Sequence, residues 1–552
     1  MKTLPTPTII KGTPPAPFSK SDRVAMDVEL FQLDDKKLHR PAGYFGSIAA
    51  TADGENVYLL QDETRIQEFL DLCKDAVWIF HNAQFDIAHL RRWAKIENRK
   101  RLWDTMLIEK VMWSGYYEGF SLADVARRYL DVYLEKATRK EFEDATEMTP
   151  EMEVYAAKDV TATWRVYQEQ RKIISDDDLN IYKQIDLPAM WCVLGFKGVK
   201  IDAEKWLALA DKNDEIAKGM KAGMSYNPAS PVQVKKKLLE EGEELESTGK
   251  TELKRLKHSD TAKEVLDYRT FAKRASTYGK KWLQNHLEPD GRVHANFNII
   301  GAETGRLSSS SPNLQQIPIR DTNEYRKCFI ADVGNKLVDA DWSAQEVRIA
   351  AYLSQDPYLI NIFKKDKDPY IELASEIYGE KITKSDPRRA KIKAIVLGSI
   401  YGLSAYGLAY NEGIPKDEAE VLMDRTFEIL SGLKQWMDKQ RWSKPFVQTI
   451  YGRKIWINPY SEQGERNALN SPVQGSGADA LKIAMVRFCK KWEGNPIIAP
   501  VHDELLLEVA EVGAEVAAKM LEEVMVEVAS EMHEGIPAKV DVHIADSWAD
   551  AH

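Results

Sequence analysis

The chain has little cysteine, no long apolar run and no surplus of positive charge, and each shortage narrows what it can be. Four cysteines in 552 residues, Cys73, Cys192, Cys328 and Cys489, stand far apart with no CxxC spacing. That excludes a disulfide framework and a cysteine zinc site, and it fits a reducing cytoplasm. No stretch approaches the roughly 20 apolar residues of a membrane-spanning helix. The opening "MKTLPTPTIIKGTPPAPFSK" has no apolar core either, so residues 1–20 read as a loose arm and not as a signal peptide. "STGKT" at 247–251 imitates a phosphate-binding loop, but the glycine such a loop needs five residues before Gly249 is Glu244. It reads as a loop between helices. The net charge of −10 argues against a polyanionic partner. Yet the signs are segregated: "RRWAKIENRKR", "YRTFAKRASTYGKKW" and "DPRRAKIK" are basic tracts that permit local phosphate contact.

What is present is a globular composition, 44% hydrophobic and 29% charged, long enough for two to four domains. "RVAMDVELF", "ENVYLL" and "DAVWIF" have the patterning of strands. "DIAHLRRWAK", "TMLIEKVMW", "LADVARRYL" and "PEMEVYAAKDVTATWRVYQEQ" have that of helices, which makes residues 21–175 an α/β domain. From about 176 to 300 the pattern is mostly helical. There Ser230 is expected as an N-cap, with Pro231 in the first turn and Gln233 as its capping-box partner. Strand-like pieces return over 301–354, a helical block fills 355–445, and strands and helices close the chain over 446–552. A small α+β domain with a helical insertion accounts for this order.

Three acidic patterns stand out in the α/β part. Asp27 and Glu29 are two apart on a strand and leave the same face. Asp86 opens a helix directly after a buried strand, and Tyr155 and Asp159 are one turn apart on another helix. In that order, DxE, NxxFD and YxxxD resemble the motifs of the DEDD-type 3′–5′ exonucleases that use a tyrosine, which have an RNase H-like fold. The resemblance implies that Asp27, Glu29, Asp86 and Asp159 hold two divalent cations and that Tyr155 orients the attacking water.

The second puzzle is "NPIIAPVHDELLLEVA", which sets His502, Asp503 and Glu504 side by side between apolar runs. Two unit charges about 4 Å apart repel by roughly 4 kcal/mol at an effective dielectric near 20, so adjacent carboxylates need a cation or an open turn. With "TGRLSSSSPNLQQIP", "LVDADWSAQE", "RRAKIKAIVLGSIYGLSAYG" and "ERNALNSPVQGSGAD", this segment resembles the ordered motifs of family A DNA polymerases, a group that includes bacterial DNA polymerase I and many phage replicative enzymes. The resemblance spans roughly residues 20–550. It implies a polymerase right hand, with an α+β palm (301–354 and 446–552), helical fingers (355–445) and a helical thumb and connection (176–300).

On that template Asp341 and Asp503 hold two Mg²⁺, for which Mn²⁺ can substitute, with Glu504 in support and His502 at the primer end. Arg389 and Lys393 grip the dNTP triphosphate, and Leu397 and Tyr401 continue that helix face toward the base. Glu346 covers the sugar's 2′ position. Arg306, Asn313, Arg466, Asn470 and Gln474 match contacts to the primer–template. The chain departs from the family pattern at Tyr370, where a histidine is usual, at Leu397, where an aromatic residue is usual, and at Ala344, where a polar residue is common. No 5′-nuclease segment precedes the exonuclease motifs, and the size favours a phage enzyme. The expected state is a monomer off the membrane, with a replicative helicase–primase or single-strand-binding protein as further partners. Two alternatives remain at this stage. A single-subunit RNA polymerase is opposed by Glu346 and the exonuclease motifs. A nuclease or DNA-binding protein with an inactive palm is opposed by the intact Asp341, Lys393 and Asp503.

Overall fold

The computed structural model describes residues 2–33, 42–135, 138–319, 323–441 and 445–551. Six strands form one mixed sheet among the described residues: β1 (Thr8–Lys11), β2 (Arg23–Phe31), β3 (Tyr44–Thr51), β4 (Asn56–Leu60), β5 (Val77–Phe80) and β6 (Leu102–Asp104). Their spatial order is β1-β4-β3-β2-β5-β6, with β2 antiparallel to β3 and parallel to β5. This part also contains helices α1 (Ala83–Leu90), α2 (Thr105–Trp113), α3 (Leu122–Leu130) and α4 (Pro150–Ile173). Within β2 the apolar side chains are buried on both faces, and only Asp27 and Glu29 interrupt the interior run as half-exposed positions. Helix α4 starts where Thr149 accepts the Met152 N–H and Pro150 occupies the first turn, where its missing N–H costs nothing.

Two expectations about this region need correction. The arm is not loose: Thr8–Lys11 pairs in parallel with β4 as the sheet's outer strand, and Lys11 reaches Glu153 at 2.7 Å. Four residues flanked by prolines are too short for an alternating pattern to be legible, and the open backbone edge of β4 recruits them. Helix α1 also ends at Leu90, so "RRW" forms a turn and not a third helical turn.

The segment expected as the thumb contains α5 (Ala203–Gly223), α6 (Pro231–Glu240), α7 (Lys250–Arg255) and α8 (Asp260–Thr277). Ser230 caps α6 by accepting the Gln233 N–H at 3.4 Å. The reciprocal half of the capping box is absent. Gln233 accepts from the Asn227 N–H at 2.7 Å, because the Ser230 N–H is already bonded to the Asn227 carbonyl. "STG" is a loop, and Lys250 opens the short α7.

The palm is a four-stranded antiparallel sheet drawn from β7 (Asn335–Trp342), β10 (Ile497–Val501), β11 (Glu504–Ala510) and β12 (Val540–Ala545), in the order β10-β11-β7-β12. A separate hairpin of β8 (Phe446–Gln448) and β9 (Lys454–Trp456) precedes β10. Helix α9 (Gln345–Ser354) follows β7 directly. The fingers contain α10 (Pro369–Tyr378), α11 (Pro387–Ile400) and α12 (Ala405–Glu412), and α13 (Glu462–Lys491) and α14 (Ala514–Met532) return to the sheet. Trp342 at the end of β7 donates its indole N–H to the Met525 carbonyl and so fixes α14 to that strand.

Among the contacts that join the halves are a tryptophan seam and a buried ion network. Trp456 of the hairpin donates its backbone N–H to Ser114 O and its indole N–H to Met112 O, and it stacks on Trp113 at 5.3 Å. Gly115, at φ +84, lies so close that a Cβ would stand 2.1 Å from the Trp456 carbonyl oxygen. Behind this seam a solvent-free network links the connection to the palm. Arg453 bonds Asp479 at 2.7 Å and Asp186 at 2.9 Å, and Lys482 bonds Asp186 at 2.7 Å. Two cations and two carboxylates thus neutralise one another out of water. Among the described residues no helix is long and apolar enough to cross a membrane.

Candidate active sites

Asp27, Glu29, Asp86, Tyr155 and Asp159, expected to act together from three separate motifs, line one cavity of about 350 Å³. Strand β2 presents the first two, and α1 presents Asp86, which accepts the Val28 N–H at 3.0 Å. The placement of α1 depends on Asp104, a residue absent from the sequence-based set. Its carboxylate caps α2 through the N–H groups of Met106 and Leu107 and also accepts from Asn82 and Ala83, at the start of α1. "LWDT" carried the N-cap part of that signal, but not the reach to α1.

The electrostatics are those of crowded acids. Burial pushes Asp27 up to about 6. Burial, with help from Asp27, pushes Asp159 up to about 7. Glu29 and Asp86 are also raised well above the carboxylate range, first by burial and then by Asp27. Tyr155 is held strongly in its protonated form by burial and by Asp159, with which it shares a hydrogen bond. Arg139 lines the same cavity and offsets part of the negative charge. His81, buried with Nδ1 2.9 Å from the Thr105 hydroxyl and Nε2 3.1 Å from the Phe120 carbonyl, is lowered to about 4 by burial and stays neutral.

The second centre forms where β10 turns into β11. Val501 pairs with Glu504, so His502 and Asp503 make a two-residue hairpin turn. His502 takes φ 58 there and is exposed. The apolar runs are therefore the edge strand β10 and the central strand β11, with His502 and Asp503 at the bend between them. In register, Asp341 faces Glu504 across β11 and Asp541 across β12. Burial and the carboxylates of Asp503, Glu504 and Asp541 push Asp341 up to about 8, and one of its oxygens is buried without a hydrogen-bond partner. Asp503 is raised too, by burial and then by Glu346, against the opposing charge of Arg306.

Glu504 lies directly across from Asp341 in the sheet and acts on it electrostatically. It is buried, accepts the Trp548 indole N–H at 2.5 Å and lies 3.4 Å from Arg326. Asp339, on the same face of β7 as Asp341, is buried against it and raised well above the carboxylate range. The two-residue spacing in "DADW" was the available sign of that residue.

The fingers approach from the other side. Ala344 at φ 54 ends β7 abruptly and brings Glu346 into the first turn of α9. Glu346 accepts from the Tyr401 hydroxyl at 2.6 Å and from Arg306 at 2.9 Å, and Gln474 also bonds Tyr401. Gly402, at φ 77, allows α13 to close in, since a Cβ would meet Arg466 Cγ at 2.7 Å. Arg389 and Lys393 lie over the Tyr370 ring at 5.5 and 5.6 Å, so the departure from histidine gives these cations an aromatic face. Arg389 is also bonded to Asp368 at 2.6 Å, an anchor the sequence reading missed. Leu397 is half-buried against the core. Asn313 uses its side-chain oxygen to cap Gln315, Arg466 is exposed, and Asn470 has a buried carbonyl oxygen without a partner. Among the described residues no three acidic, imidazole or thiol groups are already closed on a common point.

Residues 203–550 match the family model described as DNA polymerase family A, and residues 18–175 match that of a 3′–5′ exonuclease. The chain belongs to DNA polymerase family A. It is 31% identical to DNA polymerase I of Chloroflexus aurantiacus over 85% of this chain and 54% of that protein. It is 34% identical to the thermostable DNA polymerase I of Thermus aquaticus over 67% of this chain and 48% of that one. The chain thus spans about half the length of the curated relatives it matches. The polymerase domain of Pol1 from M. smegmatis, solved in complex with DNA primer-template and dNTP, superposes with a TM-score of 0.81 at 27% identity, over 96% of this chain and 97% of that one. The family fold, an exonuclease domain followed by a polymerase domain, is the one expected from the motifs.

Proposed function

We propose that this family A chain is a template-directed DNA polymerase with a 3′–5′ proofreading exonuclease. The observation that carries the proposal is that one chain holds two acidic centres on two different sheets, one at the β10–β11 turn and one in the β2–α4 cavity. In this reading residues 21–175 form the exonuclease, and the palm, fingers and thumb follow with the boundaries given above. Four unpaired thiols suit a reducing cytoplasm.

Both centres fit divalent cations, because their donors are hard oxygens raised above the carboxylate range by burial and then by one another, and one Asp341 oxygen is otherwise unpartnered. Two Mg²⁺ per centre, held by Asp341 and Asp503 and by Asp27, Glu29, Asp86 and Asp159, would neutralise the attacking and leaving oxygens of phosphoryl transfer. The chain's own groups do the rest. Lys393 and Arg389 bind the triphosphate, and the Tyr370 hydroxyl adds a donor beside them. Tyr155, fixed by Asp159, orients the water that attacks the terminal phosphodiester. Arg466, Asn470 and Gln474 on α13, with Arg306, Asn313 and His502, contact the primer–template. Extension of a primed template with dNTPs tests the proposal, and failure to extend it under any divalent cation contradicts it.

Glu346 is the group we assign to sugar selection, because Arg306 and the Tyr401 hydroxyl hold its carboxylate rigidly beside the Asp503 turn. In Glu346→Ala the rNTP-to-dNTP ratio of kcat/KM is expected to rise by about tenfold or more, equivalent to ~1.4 kcal/mol of lost discrimination. An unchanged ratio contradicts the assignment.

Leu397 lies two turns beyond Arg389 and has no hydroxyl to compensate a missing 3′-OH on the substrate. Leu397→Tyr should accept dideoxynucleotides several-fold better relative to dNTPs, as a gain of about 0.5–1.5 kcal/mol from one hydrogen bond provides. Single-nucleotide incorporation with matched dNTP and ddNTP measures it, and equal selectivity in both proteins would place Leu397 in the core alone.

The raised carboxylates set a pH dependence. Asp27 and Asp159 hold protons in the fold up to about 6 and about 7, against an ordinary 3.8. Their contribution to stability is thus complete below the ordinary value and lost as pH rises through the folded one. A divalent cation binds the deprotonated set and restores what is lost. Added Mg²⁺ should therefore raise Tm by several degrees at about pH 8 and scarcely at about pH 5, and Asp27→Asn with Asp159→Asn should remove the exonuclease share of that difference. Equal increments at both pH values would contradict the linkage.

A further inference from the structure

The four thiols are not equivalent. Cys73 is buried beside Arg99, and the buried Cys328 donates to the Glu324 carbonyl at 3.4 Å. Cys192 and Cys489, remote in sequence, come together where the connection packs on the palm. Cys192 lies on the short helix Leu187–Val193 and Cys489 in the last turn of α13. Asn495 spans the pair: its Nδ2 donates to the Cys192 carbonyl at 2.7 Å, and its Oδ1 accepts from the Cys489 thiol at 3.4 Å. Gly195 leaves room for that amide, since a Cβ there would stand 2.6 Å from Asn495 Nδ2. The two thiols also share a hydrogen bond. A thiol has one proton to donate, and that of Cys489 goes to Asn495, so Cys192 is the donor between them. This bond, and then burial, hold the Cys192 thiol in its protonated form, against the charge of Lys490, which favours a thiolate here. Cys192 is buried and Cys489 is partly exposed. The site thus has an outer thiol that a solute can reach and an inner one behind it.

We propose that Cys192 and Cys489 form a redox pair, oxidised to a disulfide by small-molecule disulfides such as oxidised glutathione, and that the bond staples the connection to α13. In the first step the Cys489 thiolate attacks one sulfur of the oxidised glutathione, and one glutathione leaves as a thiolate that takes up a proton. In the second, Cys192 releases its proton and its sulfur attacks the Cys489 sulfur of the mixed disulfide, which expels the second glutathione. Two protein thiols lose two electrons and two protons, and one small disulfide gains them as two thiols. The packing that the bond needs is already in place. Asp186 and Lys482 join the same two segments at 2.7 Å, about two turns earlier on each. The disulfide adds a covalent tie to that seam and closes a long loop in the unfolded chain, which is how such a bond stabilises a fold.

In the test, the native wild-type chain is incubated with excess oxidised glutathione at about pH 8, near the ordinary thiol pKa, and its free thiols are then counted in denaturant. The count is expected to fall from four to two. Intact mass should show no glutathione left on the chain, and a non-reducing digest should show one peptide pair linked through Cys192 and Cys489. Two single variants separate the roles. Cys192→Ser should stop after the first step and retain one glutathione on Cys489, whereas Cys489→Ser should retain none. The oxidised wild type should melt several degrees above the reduced one, a shift that dithiothreitol reverses and that both variants lack. Four thiols surviving the treatment, a link that involves Cys73 or Cys328 or joins two chains, or a link that forms only after unfolding would each overturn the redox pair. An unchanged Tm in a chain that carries the link would overturn the staple.

Discussion

Asp503→Ala is expected to lower primer extension by about a thousandfold, the effect of losing ~4 kcal/mol of transition-state stabilisation, while degradation of a labelled 3′ end proceeds at the wild-type rate. Asp503 stands at the tip of a two-residue turn, so its removal exposes no buried partner and disturbs neither strand. Asp27→Ala combined with Glu29→Ala should do the reverse and abolish degradation while leaving extension. The asymmetry follows from the architecture, since Asp27 and Glu29 belong to the mixed sheet and Asp503 to the antiparallel one. Running both assays on both variants checks it. Loss of extension in a folded Asp27→Ala/Glu29→Ala protein would mean that the two centres do not act independently.

The largest effect on stability is expected at Arg453, far from both centres. Its guanidinium is the shared partner of Asp186 and Asp479, and all three are out of water. Burial alone disfavours the cation, yet the two aspartates hold its pKa above the ordinary value, and burial competes with the same cations at Asp186, which ends below its own. Arg453→Met leaves Lys482 facing two buried carboxylates, a net negative charge without solvent. Removing one partner of a buried ion pair costs about 3–5 kcal/mol. Tm of the variant should fall by at least several degrees, and Asp479→Asn added to it should recover part of the loss by deleting the stranded charge. An unchanged Tm for Arg453→Met would show that the network is not buried as described. Because Asp186 lies in the connection and Asp479 and Lys482 lie in α13, the same variant should also loosen the seat of the exonuclease against the palm.

The residues proposed to carry chemistry were legible because their motifs, taken in order, resemble those of the family. The spacings alone, a two-residue period at Asp27 and Glu29 and a helical turn from Tyr155 to Asp159, place side chains on one face and assign no role. The partners that hold these residues were not legible. Asp186 lies 267 residues from Arg453 and 296 from Lys482, and no pattern along the chain links such positions. Asp104 could be read as the N-cap of α2, but its second pair of N–H donors comes from a helix about twenty residues earlier in the chain. Glu504 was legible from its place after Asp503, but its buried partners Trp548 and Arg326 come from distant segments and were not. The edge strand at Thr8–Lys11 was missed because its pairing is decided by β4 and not by its own sequence.

The most direct measurement uses the wild-type chain, a template, and a primer whose labelled 3′ nucleotide is mismatched, with Mg²⁺ and all four dNTPs. The account predicts that the primer first shortens by the mismatched nucleotide, releasing the label as a monophosphate, and is then extended to the end of the template. Extension that retains the label, or shortening that is never followed by extension on a matched end, would contradict the claim that one chain carries both centres.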